Sequence, residues 1–272
     1  MKKRIVLSPY LVWSTIFIIA PVSLIFIFAF RDIDGNFSLS NLKNVFMYSD
    51  VFLSSLSLSI MATLACLIIG YPTAYLISRT NPKTQKLLIA LIAMPMWLNF
   101  LLKTYAWMTI LEDNGIINNL LFYLGLQKLK IINTQGAVVF GMVYNFITYM
   151  ILPIYSVLIK TDKHIIEAAQ DLGANQNKIF FKITLPLSIP GIISGVSMVF
   201  VPSVSTFILS RMLGGGTSLL IGDVIDIQFL GSVYNPWLGS AISLILMLLI
   251  FLCMAIINFF DNSKAEKEIA AF

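Results

Sequence analysis

The chain has 272 residues, 58% of them hydrophobic and 11% charged, with a mean hydropathy of +0.88 and a formal net charge of +5. That balance excludes an ordinary soluble globular domain and belongs to a chain solvated by lipid. The positive charge collects between apolar runs, which points to a membrane surface and not to nucleic acid.

A crossing needs about 20 mostly apolar residues, and the charge map leaves room for six: Tyr10–Phe30, Val51–Ser78, Leu87–Leu111, Gly136–Ile159, Leu185–Ser210 and Trp237–Phe260. The expectation is an all-α integral membrane protein with six transmembrane helices. The first run, Ile5–Phe30, follows Met1-Lys2-Lys3-Arg4. It is too long for the apolar part of a signal peptide, and Ile27-Phe28-Ala29-Phe30 offers no small-x-small cleavage site, so it reads as a retained anchor. Cys66 falls in the second run and Cys253 in the sixth; neither has metal-ligand neighbours, and both read as unpaired buried thiols. The third run is the shortest, since Lys86 and Lys103 enclose sixteen uncharged residues. Lys103 is expected to snorkel toward the interface on its butyl stem.

Proline recurs inside the runs, at Pro21, Pro72, Pro95, Pro153, Pro190 and Pro202, where each removes a backbone donor and is expected to kink its helix. Gly191 and Gly195, four apart in the fifth run, let another helix backbone approach closely. Gly214-Gly215-Gly216-Thr217-Ser218 lacks the lysine of a phosphate-binding loop and reads as a hinge. No hydrophilic segment is long enough to bury a core of its own, so one membrane domain is expected.

Orientation follows from the basic residues. Residues 1–4, 79–86, 160–182 and 261–272 carry twelve Lys/Arg in 47 residues, whereas 31–50, 103–135 and 211–237 carry six in 80. The first set is expected to be cytoplasmic, with both termini inside.

The polar stretch after the fourth run is the most informative. Thr161 or Asp162 can cap a short helix over His164–Leu172, and Gly173 can take the left-handed conformation that ends it. A second short helix is expected from Asn175 toward Pro186. Glu167 and Asp171 lie four apart on one face, and Ala168 and Ala169 carry little bulk, so the first helix can enter a groove. His164 reads as a polar surface residue.

Glu167-Ala168-Ala169, then Gly173 after three residues, then nine more and Ile183-x-Leu185-Pro186, resembles the EAA loop of ABC-importer permeases. The resemblance implies a MetI-like five-helix core over residues 51–260 with the coupling loop at 160–186. Residues 1–50 would form an additional N-terminal helix with its outer loop, and 261–272 a cytoplasmic tail. Glu167, Ala168, Ala169, Asp171, Gly173, Ile183, Leu185 and Pro186 would contact the ATPase. Implied partners are a second permease, two cytoplasmic ATPase subunits and an extracytoplasmic binding protein, in the plasma or inner membrane. This chain would have no catalytic site, metal or cofactor of its own, ATP and magnesium being bound by the ATPase subunits.

Further stretches are similar to permeases of spermidine/putrescine importers: Ala62-Thr63-Leu64-Ala65-Cys66-Leu67, Gly70-Tyr71-Pro72, Asp171-Leu172-Gly173-Ala174, Leu185-Pro186-Leu187 with Pro190-Gly191-Ile192, and Leu219-Leu220-Ile221-Gly222. Permeases for phosphate, sulfate, iron or sugars share several of these features. A polyamine needs carboxylates at its entrance and aromatic faces or carbonyls inside. The outer segments offer Glu112, Asp113, Asp223 and Asp226; the runs offer Trp97, Asn99, Tyr105, Trp107, Tyr144 and Tyr149. Trp97, Asn99, Tyr105, Tyr144, Asp223 and Asp226 form the expected substrate pathway, with the Pro95 kink turning Trp97 toward a cavity. The chain departs from the polyamine pattern at Arg211, where an acidic residue is expected ahead of the glycine pair. A secondary transporter would carry coupling ionisable groups deep in its spans, and apart from Lys103 the six runs have none. An enzyme would need a nucleophile–base or metal constellation, and the chain offers one histidine, two isolated cysteines and no carboxylate pair in a run.

Overall fold

Lipid cannot satisfy backbone N–H and C=O groups, so a chain this apolar has to close its hydrogen bonds within helices. The computed structural model describes residues 9–217, 219–231 and 233–269. In chain order its helices are α1 (Pro9–Ala29), α2 (Ser40–Ser78), α3 (Pro82–Ala93), α4 (Phe100–Leu111), α5 (Ile116–Tyr123), α6 (Gln135–Leu158), α7 (Lys163–Asp171), α8 (Gln176–Leu187), α9 (Ile189–Ser205), α10 (Ile208–Gly214), α11 (Ile221–Leu230) and α12 (Pro236–Ile269). Residues 1–4, Ser218 and Ser232 lie outside the described residues, as do 270–272 of the expected tail.

The helices α1, α2, α6 and the Pro236–Ile257 part of α12 are each long and apolar enough to cross a bilayer. Two bent pairs bring the number to as many as six where each pair is one span, Pro82–Trp97 with Phe100–Tyr123 at 91° and Gln176–Leu187 with Ile189–Ser205 at 59°. The third expected span, Leu87–Leu111, is therefore not one straight helix. Pro95 sits in a 3-10 turn over Met94–Trp97, Leu98 is extended, and Asn99 restarts the helix by accepting hydrogen bonds from Leu101 N (2.8 Å) and Leu102 N (3.3 Å). The fifth, Leu185–Ser210, is likewise divided at Ser188 and again after Ser205, where Thr206 is extended.

Not every proline breaks its helix. Pro72 and Pro153 lie inside continuous α2 and α6. Pro21 and Pro186 each follow a π-helical turn, Thr15–Ile19 and Phe180–Thr184. A widened turn gives room to the ring, which would otherwise clash with the carbonyl four residues back.

α2, α6 and α9 pack on one another as the centre of the bundle, with Cys66, Val138, Met142, Met150, Ile154 and Val199 fully buried between them. Small residues set the distance. A Cβ on Gly191 would stand 3.0 Å from Ile154 Cα and Pro153 O, and one on Gly195 2.8 Å from Met150 Sδ and 3.1 Å from its carbonyl oxygen. The expected close approach is thus to α6. A second core joins α12 to α9, α11 and the end of α1 through Phe200, Val204, Ile221, Ala241 and Ile242. Cys66 and Cys253 are both free thiols.

Candidate functional site

The residues singled out from the sequence fall into a region at each end of the bundle and a separate cavity along α4 and α6. At the end that bears residues 79–86, Asp162 caps α7 by accepting from His164 N at 3.0 Å, and α7 runs Lys163–Asp171. Gly173 has φ +80°, and Gly173 N and Ala174 N close the helix onto Gln170 O (2.8 Å) and Ala169 O (3.0 Å). Nothing lies within 4 Å of a Cβ built there, so backbone conformation alone demands glycine. Asn175 then caps α8, accepting from Lys178 N at 2.8 Å.

This helix-turn-helix is moored by Ile179, which is 1% exposed, and by Phe180. The Phe180 ring meets Tyr71 and Tyr75 of α2 edge-on, with centroids at 5.9 and 5.3 Å. Tyr71 Oη and Ser188 Oγ are 3.0 Å apart, which joins α2 to the start of α9. Ile183, Leu185 and Pro186 are half-buried in this joint, so they support the loop more than they present it. Glu167, Ala168, Asp171 and Gly173 are exposed, Ala169 is half-buried, and His164 Nδ1 lies 3.2 Å from Glu167 Oε2. The sequence reading missed Ile165 and Leu172, 45% and 89% exposed. With Ala168 they form an apolar stripe at i, i+3 and i+7 of an otherwise polar segment, and that spacing was the available signal.

At the opposite end, Asp223 is 1% exposed and accepts from Ser210 Oγ, from Arg211 Nε at 3.1 Å and from Leu220 N at 2.9 Å. It therefore caps α11 while pinning α10 to it. Arg211 also reaches Asp226, Nη2 to Oδ2 at 2.6 Å, and lies over the Phe207 ring. Arg211 is thus the counter-ion of both acids. Gly222 allows α11 to start against Ser205 O, and Ile221 N donates to Ser55 Oγ of α2 at 2.8 Å.

Glu112 and Asp113, which the sequence ranked behind Asp223 and Asp226, are exposed and line a cavity of about 310 Å³ with Asn114, Asn133 and Met212. Among the described residues neither has an ion pair. Asn99 and Tyr144 share a separate cavity of about 330 Å³ with Lys103 and Trp107. Tyr144 and Trp107 meet edge-on there, with centroids at 5.2 Å. Lys103, expected to snorkel, lines this cavity. Trp97 is 84% exposed and Tyr105 57%, and neither lines it: the break at Leu98–Asn99 sets Trp97 apart from α4, and Tyr105 lies on a different face of α4 from Lys103, Trp107 and Ile110.

The family model described as "Binding-protein-dependent transport system inner membrane component" matches residues 67–265. The chain is 39% identical to the "Spermidine/putrescine transport system permease protein PotB" of Haemophilus influenzae, over 94% of each chain. It is 37% identical to the protein of the same description from Escherichia coli, over 82% of each. In fold it is similar to a chain of a bacterial ABC transporter involved in the import of alginate, with a TM-score of 0.82 at 16% identity over 96% of this chain and 94% of that one. A chain of the MetNI methionine ABC transporter gives a TM-score of 0.60 at 17% identity, covering 80% of this chain and 96% of that one.

Proposed function

Because this chain belongs to the inner-membrane components of binding-protein-dependent transport systems, we propose that it is the permease subunit through which an ABC importer carries spermidine or putrescine. The observation that carries the cargo is the similarity to polyamine permeases over 94% of the chain. The exposed, unpaired carboxylates of Glu112 and Asp113 on an outer cavity agree with it, since they offer a polycation its first contacts. Asn99, Tyr144 and Trp107 offer acceptors and ring faces deeper along α4 and α6.

In this reading, residues 160–186 face the cytoplasm with both termini, which the distribution of basic residues supports. Glu167, Ala168, Ala169, Asp171 and Gly173 of the loop meet one of two ATPase subunits, with Ile165 and Leu172 filling its groove and Ile183, Leu185 and Pro186 bearing the load. A second permease completes the path, and an extracytoplasmic binding protein delivers cargo. ATP is hydrolysed on the ATPase subunits, and this chain contributes motion and the passage itself. Asp226 and Asp223 face cargo only when Arg211 leaves them, so their part in the path is conditional on movement of α10 against α11; Trp97 and Tyr105 would act where a partner helix covers them.

The test is radiolabelled spermidine uptake in cells lacking other polyamine importers and carrying the complete system. Uptake is expected, and Glu112→Gln with Asp113→Asn is expected to raise KM at unchanged membrane abundance. Import of an anion or a sugar with no polyamine uptake would overturn the cargo and leave family membership standing.

A further inference from the structure

A polar cavity of about 500 Å³ opens where α2 and α6 end, between the α2–α3 elbow, α7 and the last turn of α8. Its polar wall has an unusual bias. The Ser78, Thr80 and Thr161 hydroxyls donate to Tyr75 O, Ile77 O and Val157 O in the last turns of α2 and α6, which leaves oxygen lone pairs as their free valences. Gln85 is 8% exposed; its Nε2 donates to Ser78 O and Thr80 O, and its Oε1 accepts only from Tyr155 Oη. Thr184 also lines the cavity, 3% exposed, with a buried hydroxyl that has no partner. Buried polar groups are nearly always paired, so the Thr184 hydroxyl lacks a partner, and the free lone pairs of Ser78, Thr80, Thr161 and Gln85 Oε1 make the wall around it rich in acceptors. Two helix C-termini, those of α2 and α6, add partial negative charge.

The rim is of opposite character. Arg79 lies there, exposed, its guanidinium carbon 5.1 Å from the Tyr75 ring centroid. A bare cation would be repelled on entry, and a bare anion would meet acceptors inside. The remaining wall is apolar, formed by Leu158, Ile159 and Ile166.

We infer that this cavity is a headgroup site for a zwitterionic aminophospholipid: the primary ammonium donates into the Gln85–Thr184 wall, and the phosphate pairs with Arg79 at the rim. The ligand's two charges match the two parts of the cavity. The ends of two membrane-crossing helices put the site at headgroup depth. Because Ile166 belongs to α7, an occupied site packs the underside of the proposed coupling helix. The inference does not depend on the cargo.

The complete transporter is reconstituted in phosphatidylcholine/phosphatidylglycerol vesicles with and without phosphatidylethanolamine, re-extracted in mild detergent, and its retained lipid quantified by mass spectrometry. Phosphatidylethanolamine should be enriched over the bulk bilayer. Thr184→Val should reduce that enrichment about fivefold, the effect of one hydrogen bond, and Thr184→Ser should restore it, which separates the lost hydroxyl from a folding defect. Arg79→Gln should reduce it as well. Equal enrichment in wild type and Thr184→Val would overturn the site, as would no enrichment at all, which would leave the cavity to water. Equal retention of phosphatidylglycerol would show a phosphate site without ammonium recognition, and displacement of the lipid by spermidine or by glycerophosphoethanolamine would show a site for free amines; either result overturns the lipid assignment.

Discussion

Asp223 keeps its carboxylate out of solvent because three donors reach it, and Arg211 spans from it to Asp226, which is 19% exposed in its side chain. Removing one partner of a fully buried pair costs about 3–5 kcal/mol, and the 45% exposure of Arg211 places this pair below that range. Asp223→Asn is therefore expected to lower the thermal midpoint of the purified complex more than Asp226→Asn, because only Asp223 also holds the Leu220 N–H and Ser210. Equal shifts in the two variants would contradict its capping role. Gly173 makes a different demand. Its φ of +80° disfavours any side chain with a branched Cβ while leaving ample space. Gly173→Val should cost about 1–2 kcal/mol locally and abolish uptake while membrane abundance holds, with Gly173→Asn milder; uptake at the wild-type rate in Gly173→Val would remove the turn from the coupling mechanism. Glycine at this position was readable from the sequence, whereas the three donors on Asp223 were not, since Ser210 and Leu220 are neighbours only once α10 and α11 fold back on each other.

Between elements, Phe180 is the point where the 160–186 segment grips the bundle. Its ring is wedged against Tyr71 and Tyr75 of α2, immediately after α8 changes to a π-helical turn. A push on α7 would reach α2 and α9 through this ring and through the Tyr71–Ser188 hydrogen bond. Phe180→Ala is expected to leave ATPase subunits bound and hydrolysing while uptake falls at least tenfold, a rise of about 1.4 kcal/mol or more in the effective barrier to transport. Parallel loss of ATPase binding and uptake would make Phe180 a docking residue instead. Gly191→Val tests the other contact of α9, where Ile154 Cα and the Pro153 carbonyl cannot move aside. Overpacking of this kind costs about 1–3 kcal/mol, so the variant should lose thermal stability by more than Gly136→Val, whose added Cβ meets nothing closer than Thr134 Oγ1 at 3.7 Å.

At the scale of the whole molecule, the six runs leave the elbow 79–86 and the loop 160–186 at one end of the bundle, where Gln85 and Tyr155 hydrogen-bond, and the 112–135 and 211–220 segments at the other, where Asn133 N meets Leu213 O. Single cysteines at Lys83 and Asn175, in a background with Cys66 and Cys253 replaced, should react only from the cytoplasmic side, and those at Asn36 and Asn119 only from outside. Asn119 is exposed and suits a probe, whereas its neighbour Asn118 is fully buried, holding Leu129 N and O and Glu112 O. Labelling of residue 175 from outside intact cells would invert the topology and with it the proposed coupling surface.

Helicity, the six apolar runs and the capped helix-turn-helix with Gly173 were determined by the sequence alone, because each rests on local physics: the length of chain needed to cross lipid, the shortage of backbone partners there, and the dihedral angles that a side chain allows. Tertiary structure decided what depends on residues far apart in the chain. Pro95 announced a distortion, yet the 91° turn at Leu98–Asn99 and the resulting separation of Trp97 from Asn99 and Tyr144 were settled by how α4 packs. Asp223 and Asp226 looked like free carboxylates until folding set Arg211 beside them, and Thr184 looked like an ordinary helix residue until three other segments enclosed it. A side chain's chemistry is written at its position in the chain, but its partners, and so its charge balance and accessibility, are supplied by neighbours that only the folded bundle brings within a few ångströms.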